Sequence, residues 1–121
     1  MKPIKQKQGN DCAVAAIAMV VGKSYSAVKK VLGTIGRNGL HSYEMLWLIG
    51  HWGDWRIKIP RKRWTLREWA QKHPLCVVSV GMIFDCGHAL AVVDGRVYDP
   101  SGNEPNLDQC VNDALVPVQN L

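Results

Sequence analysis

The sequence has no hydrophobic run long enough to cross a membrane. Its longest apolar stretch extends only from Ala13 to Val21, whereas a membrane-spanning helix needs about twenty residues. The stretch also lacks the flanking pattern of a cleaved secretion signal. We therefore expect a soluble, cytoplasmic protein with no membrane span.

Cysteine is sparse, and its spacing contains no close pair. The four residues are Cys12, Cys76, Cys86 and Cys110, and structural zinc sites usually need two cysteines that are two to four residues apart. A chain of 121 residues can bury its own core without a disulfide scaffold. We expect free thiols, no cofactor, and a single domain over residues 1–121.

Acidic residues are fewer than basic ones. The chain has 15 Lys and Arg against 10 Asp and Glu, a formal net charge of +5, and the basic residues gather in segments 2–7 and 58–63. Such a balance permits contact with nucleic acid through phosphate attraction. No recognition motif accompanies it, so a solvated basic face is favoured over a nucleic-acid partner.

The first half of the chain has a helical pattern. Residues 12–21 are apolar on every side and rich in alanine, which is typical of a buried helix, and Gly22 is placed to end it. Serine or threonine precedes three further segments with helical patterns, at 24–33, 42–51 and 65–73. The sequence therefore predicts four helices.

After the fourth helix the hydrophobic period changes to two. Residues 75–80 form a β-branched run, and the apolar segments 88–93 and 96–98 flank Asp94-Gly95. An Asp-Gly pair between apolar runs indicates a hairpin with a two-residue turn. With a short strand at 54–59, the order is helices first and an antiparallel sheet afterwards, an α+β fold.

The predicted hairpin brings a histidine and a carboxylate together. A two-residue turn pairs Leu90 with Asp99, so that His88 and Asp99 become diagonal neighbours on one face. Diagonal positions are about 7–8 Å apart, a gap that an imidazole and a carboxylate can close. Asp94 at the hairpin tip is about 20 Å from His88 and is excluded as its partner. Taken alone, Asp99 and His88 would favour structural roles in a turn and a strand end.

Cys12 begins the apolar helix. The unpaired N–H groups and the dipole of a first helical turn lower the pKa of a thiol, and a nearby imidazolium lowers it further. Acyl transfer also needs donors aimed at the oxyanion, normally the backbone N–H of the nucleophile and a side-chain amide. Gln6 is the favoured amide, and Gln8 is its rival. Asp11 precedes the helix and is a candidate cap.

These residues carry a family resemblance. A glutamine six positions before a helix-opening cysteine, followed much later by a strand histidine and an aspartate, resembles the papain-like cysteine peptidase superfamily. The motif Gln-x-x-x-x-Asp-Cys, followed by Ala and Met on the helix, is most similar to the double-glycine (bacteriocin) leader peptidase domain. The resemblance covers residues 6–21 and 86–100. It implies an oxyanion donor, a nucleophile, a general base and an orienting group at Gln6, Cys12, His88 and Asp99, respectively.

The resemblance implies a papain-like fold with the nucleophile helix packed on a C-terminal antiparallel sheet. It further implies a thiol hydrolase that cleaves a peptide or protein substrate, after small residues such as Gly-Gly, with an accessory or transporter protein acting in trans. Ala13 stands where that family usually has Gly, and the connection between His88 and Asp99 is shorter than usual. A deamidase or acyltransferase on the same triad, and a binding module without turnover, stay open as alternatives.

Two further patterns have both a structural and a functional interpretation. Cys86-Gly87-His88 offers two metal ligands, but the paired spacing of a structural zinc site is missing, so no metal is expected. The five tryptophans all lie in the middle third of the chain. They indicate core packing, with a wall of a peptide groove that includes Tyr43 as the functional alternative.

Overall fold

The computed structural model describes residues 2–7, 11–33, 40–83 and 86–118. Residues 8–10, before the first helix, and residues 34–39, between the second and third predicted helices, lie outside these ranges. The helices and strands of the described residues are α1 (Cys12–Val21), α2 (Tyr25–Leu32), α3 (Ser42–Ile49), a 3₁₀ turn (Gly50–Trp52), β1 (Trp55–Lys58), α4 (Leu66–Lys72), β2 (Cys76–Ile83), β3 (Cys86–Val93), β4 (Arg96–Tyr98) and β5 (Val111–Pro117).

The strands form one sheet in the order β1-β5-β2-β3-β4, in which every neighbouring pair is antiparallel. The prediction of a mixed α+β fold with an antiparallel sheet is confirmed. β1 forms one edge of this sheet although it precedes α4 in the chain. The strand predicted at 54–59 is thus present as β1, and α4 separates it in the chain from the other strands.

The helix ends follow the capping residues that the sequence supplies. Gly22 ends α1 in the left-handed conformation, with φ of 71°. The Ser24 hydroxyl accepts a hydrogen bond from the Ala27 N–H at 3.1 Å and caps α2. Thr65 and Glu68 form the predicted capping box of α4. These local interactions fix the end of α1 and the starts of α2 and α4.

The β3–β4 hairpin has the predicted register. Val93 pairs with Arg96 and Val92 pairs with Val97. The two turn residues, Asp94 and Gly95, have φ of 53° and 77°, the positive values that a type I′ turn needs at both central positions. The two-residue turn on which the predicted meeting of His88 with Asp99 depended is therefore present.

Helices cover both faces of the sheet. On one face, α1, α2 and α3 pack against Ala89, Ala91 and Leu115. On the other face, Leu66 and Trp69 of α4 pack against Leu90 and Val92 and their neighbours. The residues of β3 alternate between these two layers, as expected of a strand buried on both faces.

No single helix among the described residues is both long and apolar enough to span a bilayer. α1 and α2 reach the necessary length and composition only when they are counted together across a bend of 119°. Residues 13–20 of α1 are buried inside the protein.

Candidate active site

Cys12 lies at the first turn of α1, next to the beginning of β3. Its Sγ accepts a hydrogen bond at 3.4 Å from the backbone N–H of Ala89, the residue that directly follows His88. The side chain is only partly buried. The fold therefore brings the helix-opening thiol to the strand histidine that lies far along the chain.

Asp99 holds the other side of the His88 ring. His88 Nε2 is 2.6 Å from Asp99 Oδ1, which also accepts hydrogen bonds from the N–H and the hydroxyl of Ser101 at 2.9 and 2.7 Å. Because Nε2 faces Asp99, Nδ1 is the ring nitrogen left for Cys12. Asp99 therefore holds the His88 ring, whose side chain is 36% exposed, beside the segment that contacts the Cys12 thiol.

Cys12, His88 and Asp99 shift one another's pKa values toward the charged forms. Burial alone would raise the pKa of Cys12, but the hydrogen bond with His88, the Ala89 N–H and the His88 charge outweigh it, so the pKa is lowered. The hydrogen bond with Cys12 raises the pKa of His88 to about 9 against the opposing effect of burial, and Asp99 adds to the rise. Burial works against the Asp99 carboxylate too, yet bonds from His88 and Ser101 hold its pKa below the ordinary value.

The other described thiols differ from Cys12. Cys76 is fully buried in β2, and burial raises its pKa to about 12. Cys110 accepts a hydrogen bond from Arg63 Nε at 3.1 Å. None of these three described cysteines is in a disulfide, as the sequence predicted. Cys12 alone among them contacts an imidazole.

Gln6 is tethered to the loop that carries the triad carboxylate. Its backbone N–H donates to the carbonyl of Pro100 at 2.8 Å, one residue beyond Asp99, and its side-chain Oε1 is buried. This contact places the segment before α1 at the same end of the sheet as Asp99. The rival amide, Gln8, lies outside the described residues.

The prediction that Asp11 caps α1 is wrong. Asp11 occupies the N-cap position, but its side chain makes no capping hydrogen bond. The carboxylate instead accepts from the hydroxyl of Tyr25, and from the backbone N–H of Lys7 at 3.3 Å. Burial and this carboxylate raise the pKa of Tyr25 to about 12. Asp11 directly precedes the candidate nucleophile and is 5% exposed. Its hydrogen bond with Tyr25 therefore ties the start of α2 to the start of α1.

A row of polar residues crosses the sheet beside Cys12. Ala89 pairs with Ser79 on β2, and Ser79 pairs with Asp113 on β5. The Ser42 hydroxyl, at the start of α3, donates to Asp113 Oδ2 at 2.6 Å. Paired residues of antiparallel strands share a face, so this row leads from Ala89 toward α3. Sequence reasoning missed it because β5 has no clear strand pattern.

The tryptophans divide between packing and exposure. Trp69 is 1% exposed and belongs to the core. Tyr43 and Trp47, on α3, are 68% and 49% exposed, and the Trp47 ring meets His51 edge-on at 4.9 Å. Core packing is therefore confirmed for Trp69, whereas the exposed pair does not contribute to the core.

No group of three or more His, Cys, Asp or Glu side chains within residues 2–7, 11–33, 40–83 and 86–118 is arranged to hold a metal ion. The alternative built on Cys86 rests on a side chain that the structure does not describe. His88 and Asp99 bind each other in the triad.

The arrangement therefore brings a thiol, an imidazole and a carboxylate together, with a side-chain amide on an adjoining segment. Comparisons of the chain with protein-family models, with curated proteins and with solved structures find no match.

Proposed function

We propose that the chain is a cysteine hydrolase of the papain-like type that cleaves peptide bonds. The observation that carries the proposal is the meeting of three side chains: Cys12 Sγ accepts from the backbone N–H of Ala89, the residue after His88, and His88 Nε2 is 2.6 Å from Asp99 Oδ1. Each residue type matches one task of thiol-based acyl transfer: nucleophile, proton carrier and orienting group. Their arrangement agrees with the roles that the resemblance implies.

The proton distribution favours attack near neutral pH. The pKa of Cys12 is lowered and that of His88 is raised to about 9, and both directions favour the thiolate–imidazolium form of the pair over the neutral form. The two groups are coupled, so their titration belongs to the pair rather than to either residue. A thiolate is the nucleophilic form, and an imidazolium carries the proton that a leaving amine needs.

The proposed reaction has two acyl-transfer steps. Cys12 Sγ attacks the peptide carbonyl, and the negative charge passes to the carbonyl oxygen, where the Cys12 N–H and the Gln6 side-chain amide are the proposed donors. His88 gives its proton to the amine as the C–N bond breaks and a thioester forms. Water then attacks the thioester with His88 as its base, releasing the acid and restoring the thiolate–imidazolium pair.

The substrate is proposed from the resemblance alone as a peptide or protein cut after small residues such as Gly-Gly. A thioester is resolved by water or by another amine, so product mass decides the reaction. A cut chain supports a peptidase. A gain of about one dalton on an intact chain indicates a deamidase, and a new amide bond indicates an acyltransferase.

Thiol labelling tests the nucleophile. Native protein is treated with iodoacetamide at pH 6.5, and the modified cysteines are mapped by mass spectrometry. Cys12 should react at least about tenfold faster than Cys110, because a paired thiolate is present below the ordinary thiol pKa. His88→Ala should remove the advantage, whereas Cys110→Ala, the matched control, should leave labelling of Cys12 unchanged.

Peptide hydrolysis tests the activity itself. A peptide pool that includes Gly-Gly sequences is incubated with native protein, Cys12→Ala and Cys110→Ala, and the products are weighed. We expect cleavage by native protein and Cys110→Ala and none by Cys12→Ala. Equal cleavage by native protein and Cys12→Ala would overturn the assignment of Cys12. Partner binding that survives Cys12→Ala, without turnover in any sample, would replace the hydrolase with a binding module.

A further inference from the structure

A cavity lies between the edge strand β1 and the end of α4, away from the candidate active site. Its volume is about 540 Å³, and it is lined by Arg56, Lys72, His73, Pro74, Leu75, Val116, Pro117 and Val118. The Pro74 carbonyl accepts a hydrogen bond from the N–H of Gly95, in the hairpin turn, at 3.0 Å. The cavity is therefore near the hairpin end of the sheet, about 20 Å along β3 from His88.

Three cationic or titratable side chains from two elements line this cavity, namely Arg56, Lys72 and His73, and the charge of Lys58 also acts on the pKa of His73. Arg56 pairs with Val116 and Lys58 pairs with Ala114, so both side chains share the face of the sheet that α4 covers. Lys72 and His73 follow at the C-terminal end of α4. Edge strand and helix end thus present positive charge to the same space.

The positive charges around the cavity lower the pKa values of two of these groups. Burial lowers the pKa of Lys58, and the charges of Lys72 and Arg56 lower it further. Burial also lowers the pKa of His73, with added contributions from Lys58, Lys72 and Arg56. Among the described residues, the ion pairs lie elsewhere, at Arg67–Asp108 and His88–Asp99. Lys72 Nζ contacts the Trp64 ring, 4.9 Å from its centroid, but an aromatic ring does not neutralise a charge.

The remaining walls are apolar. Leu75, Val116 and Val118 line the cavity together with two prolines. A volume in this range, with apolar walls and a few convergent polar groups, is typical of a site for a small organic ligand. A guanidinium group binds phosphate oxygens in a bidentate manner, and ammonium groups add point charges.

We propose that this cavity binds a phosphorylated small molecule, whose phosphate faces Arg56 and Lys72 and whose apolar body packs against the Leu75 and Val116 wall. A phosphate monoester has a charge of about −1.5 to −2 at neutral pH, which offsets most of the charge of these two cations. The site is separate from Cys12, so the proposal does not depend on the proposed hydrolase.

The shape favours a small ligand over a nucleic-acid duplex. Duplex binding is built from many phosphate contacts spread along a surface, whereas these cations are gathered around one concave space. The apolar wall also has no counterpart in a phosphate backbone. A nucleic acid is therefore the competing outcome of the test.

Three probes separate the parts of the proposed ligand. Phenyl phosphate carries both the anion and an apolar body, inorganic phosphate carries the anion alone, and phenol carries the body alone. Isothermal titration calorimetry should give saturable binding of phenyl phosphate, weaker binding of inorganic phosphate, and the weakest binding of phenol. The affinity for phenyl phosphate should fall as salt increases. Equal affinity for phenol and phenyl phosphate would overturn the anion site.

Charge-matched variants test the location. Arg56→Gln/Lys72→Gln should weaken phenyl phosphate binding by at least about tenfold, equivalent to about 1.4 kcal/mol. The control, Lys23→Gln/Lys30→Gln, removes the same charge from exposed positions beside and on α2 and should change the affinity less than about twofold. Equal losses in both variants would indicate attraction by net charge and would overturn the site.

An NMR titration of His73 gives a second measurement. Bound phosphate adds negative charge beside the cations that lower the pKa of His73, so phenyl phosphate should raise that pKa, while phenol should leave it unchanged. The ring signals of His51, on the 3₁₀ turn after α3, serve as the internal control. A response of His51 equal to that of His73, or binding of duplex DNA without binding of phenyl phosphate, would overturn the proposal.

Discussion

The partly buried Cys12 and the fully buried Cys76 differ in the direction of their pKa shifts. Burial raises the pKa of both Cys12 and Cys76. At Cys76 no cation opposes it and the pKa reaches about 12. At Cys12 the hydrogen bond and charge of His88 reverse the direction. The reactive character of Cys12 therefore depends on its contact with His88 more than on its place in a helix.

Removal of the thiol should change the titration of the histidine. The bond with Cys12 is the largest cause of the rise of the His88 pKa to about 9. In Cys12→Ala we therefore expect the pKa of His88 to fall toward its ordinary value of about 6.5, as measured by NMR titration of its ring protons. Cys110→Ala, which removes a thiol that contacts Arg63 instead, should leave the pKa near 9. An unchanged His88 in Cys12→Ala would contradict the thiolate–imidazolium pair.

Residue types and spacing were sufficient to predict the contact of His88 with Asp99. The determinants were local: an Asp-Gly turn and the alternation of two short strands. The partner of Asp11 was not predictable in this way. Tyr25, which donates to that carboxylate, begins a different helix, and no sequence pattern connects a turn residue with the first residue of the next helix.

At the scale of elements, the hairpin turn fixes the site because it fixes the register. Gly95 has φ of 77°, and a Cβ added there would meet only the Ala70 carbonyl, at 3.9 Å. Space is thus available for a methyl group, but the backbone conformation is unfavourable for any residue with a Cβ. A substitution at Gly95 therefore tests the cost of the backbone conformation without a steric clash.

Gly95→Ala should destabilise the protein by about 1–2 kcal/mol, the usual cost of a left-handed conformation for a residue with a side chain. Gly50→Ala is the matched control, because Gly50 has φ of −60° and open space around the added Cβ. The control should be neutral or stabilising by up to about 1 kcal/mol. Urea unfolding measures both, and equal effects of the two substitutions would contradict the left-handed turn.

Elements with local determinants were predictable, and those that depend on distant pairing were not. Thr65 and Glu68 mark the start of α4 within four residues. β5, in contrast, was missed: Asn112 and Asp113 interrupt alternation where the pairing with β2 shifts register, and the apolar run 114–116 fits a helix or a strand equally well. Only pairing with β1 and β2 makes this segment a strand.

At the scale of the whole molecule, the candidate active site and the cationic cavity lie far apart on the sheet. Cys12 and His88 lie at one end of β3, and the cavity lined by Arg56 and Lys72 lies near the other end. The sheet is held between two layers of helices. This arrangement keeps the positive charge of the cavity about 20 Å away from the thiolate, a distance at which salt screens most of the interaction.

The thiolate–imidazolium pair also predicts how stability changes with pH. The pKa of His88 is higher in the folded chain than its ordinary value of about 6.5. Its stabilising contribution is therefore complete below pH 6.5 and is lost as pH rises through about 9. The pKa of Cys12 is lowered, so its contribution is complete above the ordinary value of about 8.5 and is lost as pH falls toward the folded pKa.

Between about pH 6.5 and 8.5 these two slopes have opposite signs and cancel, because folding only moves one proton from sulfur to nitrogen. We therefore expect the difference in unfolding free energy between native protein and Cys12→Ala/His88→Asn to be constant across this range and to shrink below pH 6.5. Urea unfolding at closely spaced pH values, with Cys110→Ala as the control, measures it. A slope within this range would contradict the coupled pair, because it would mean that Cys12 or His88 titrates in the folded chain between pH 6.5 and 8.5.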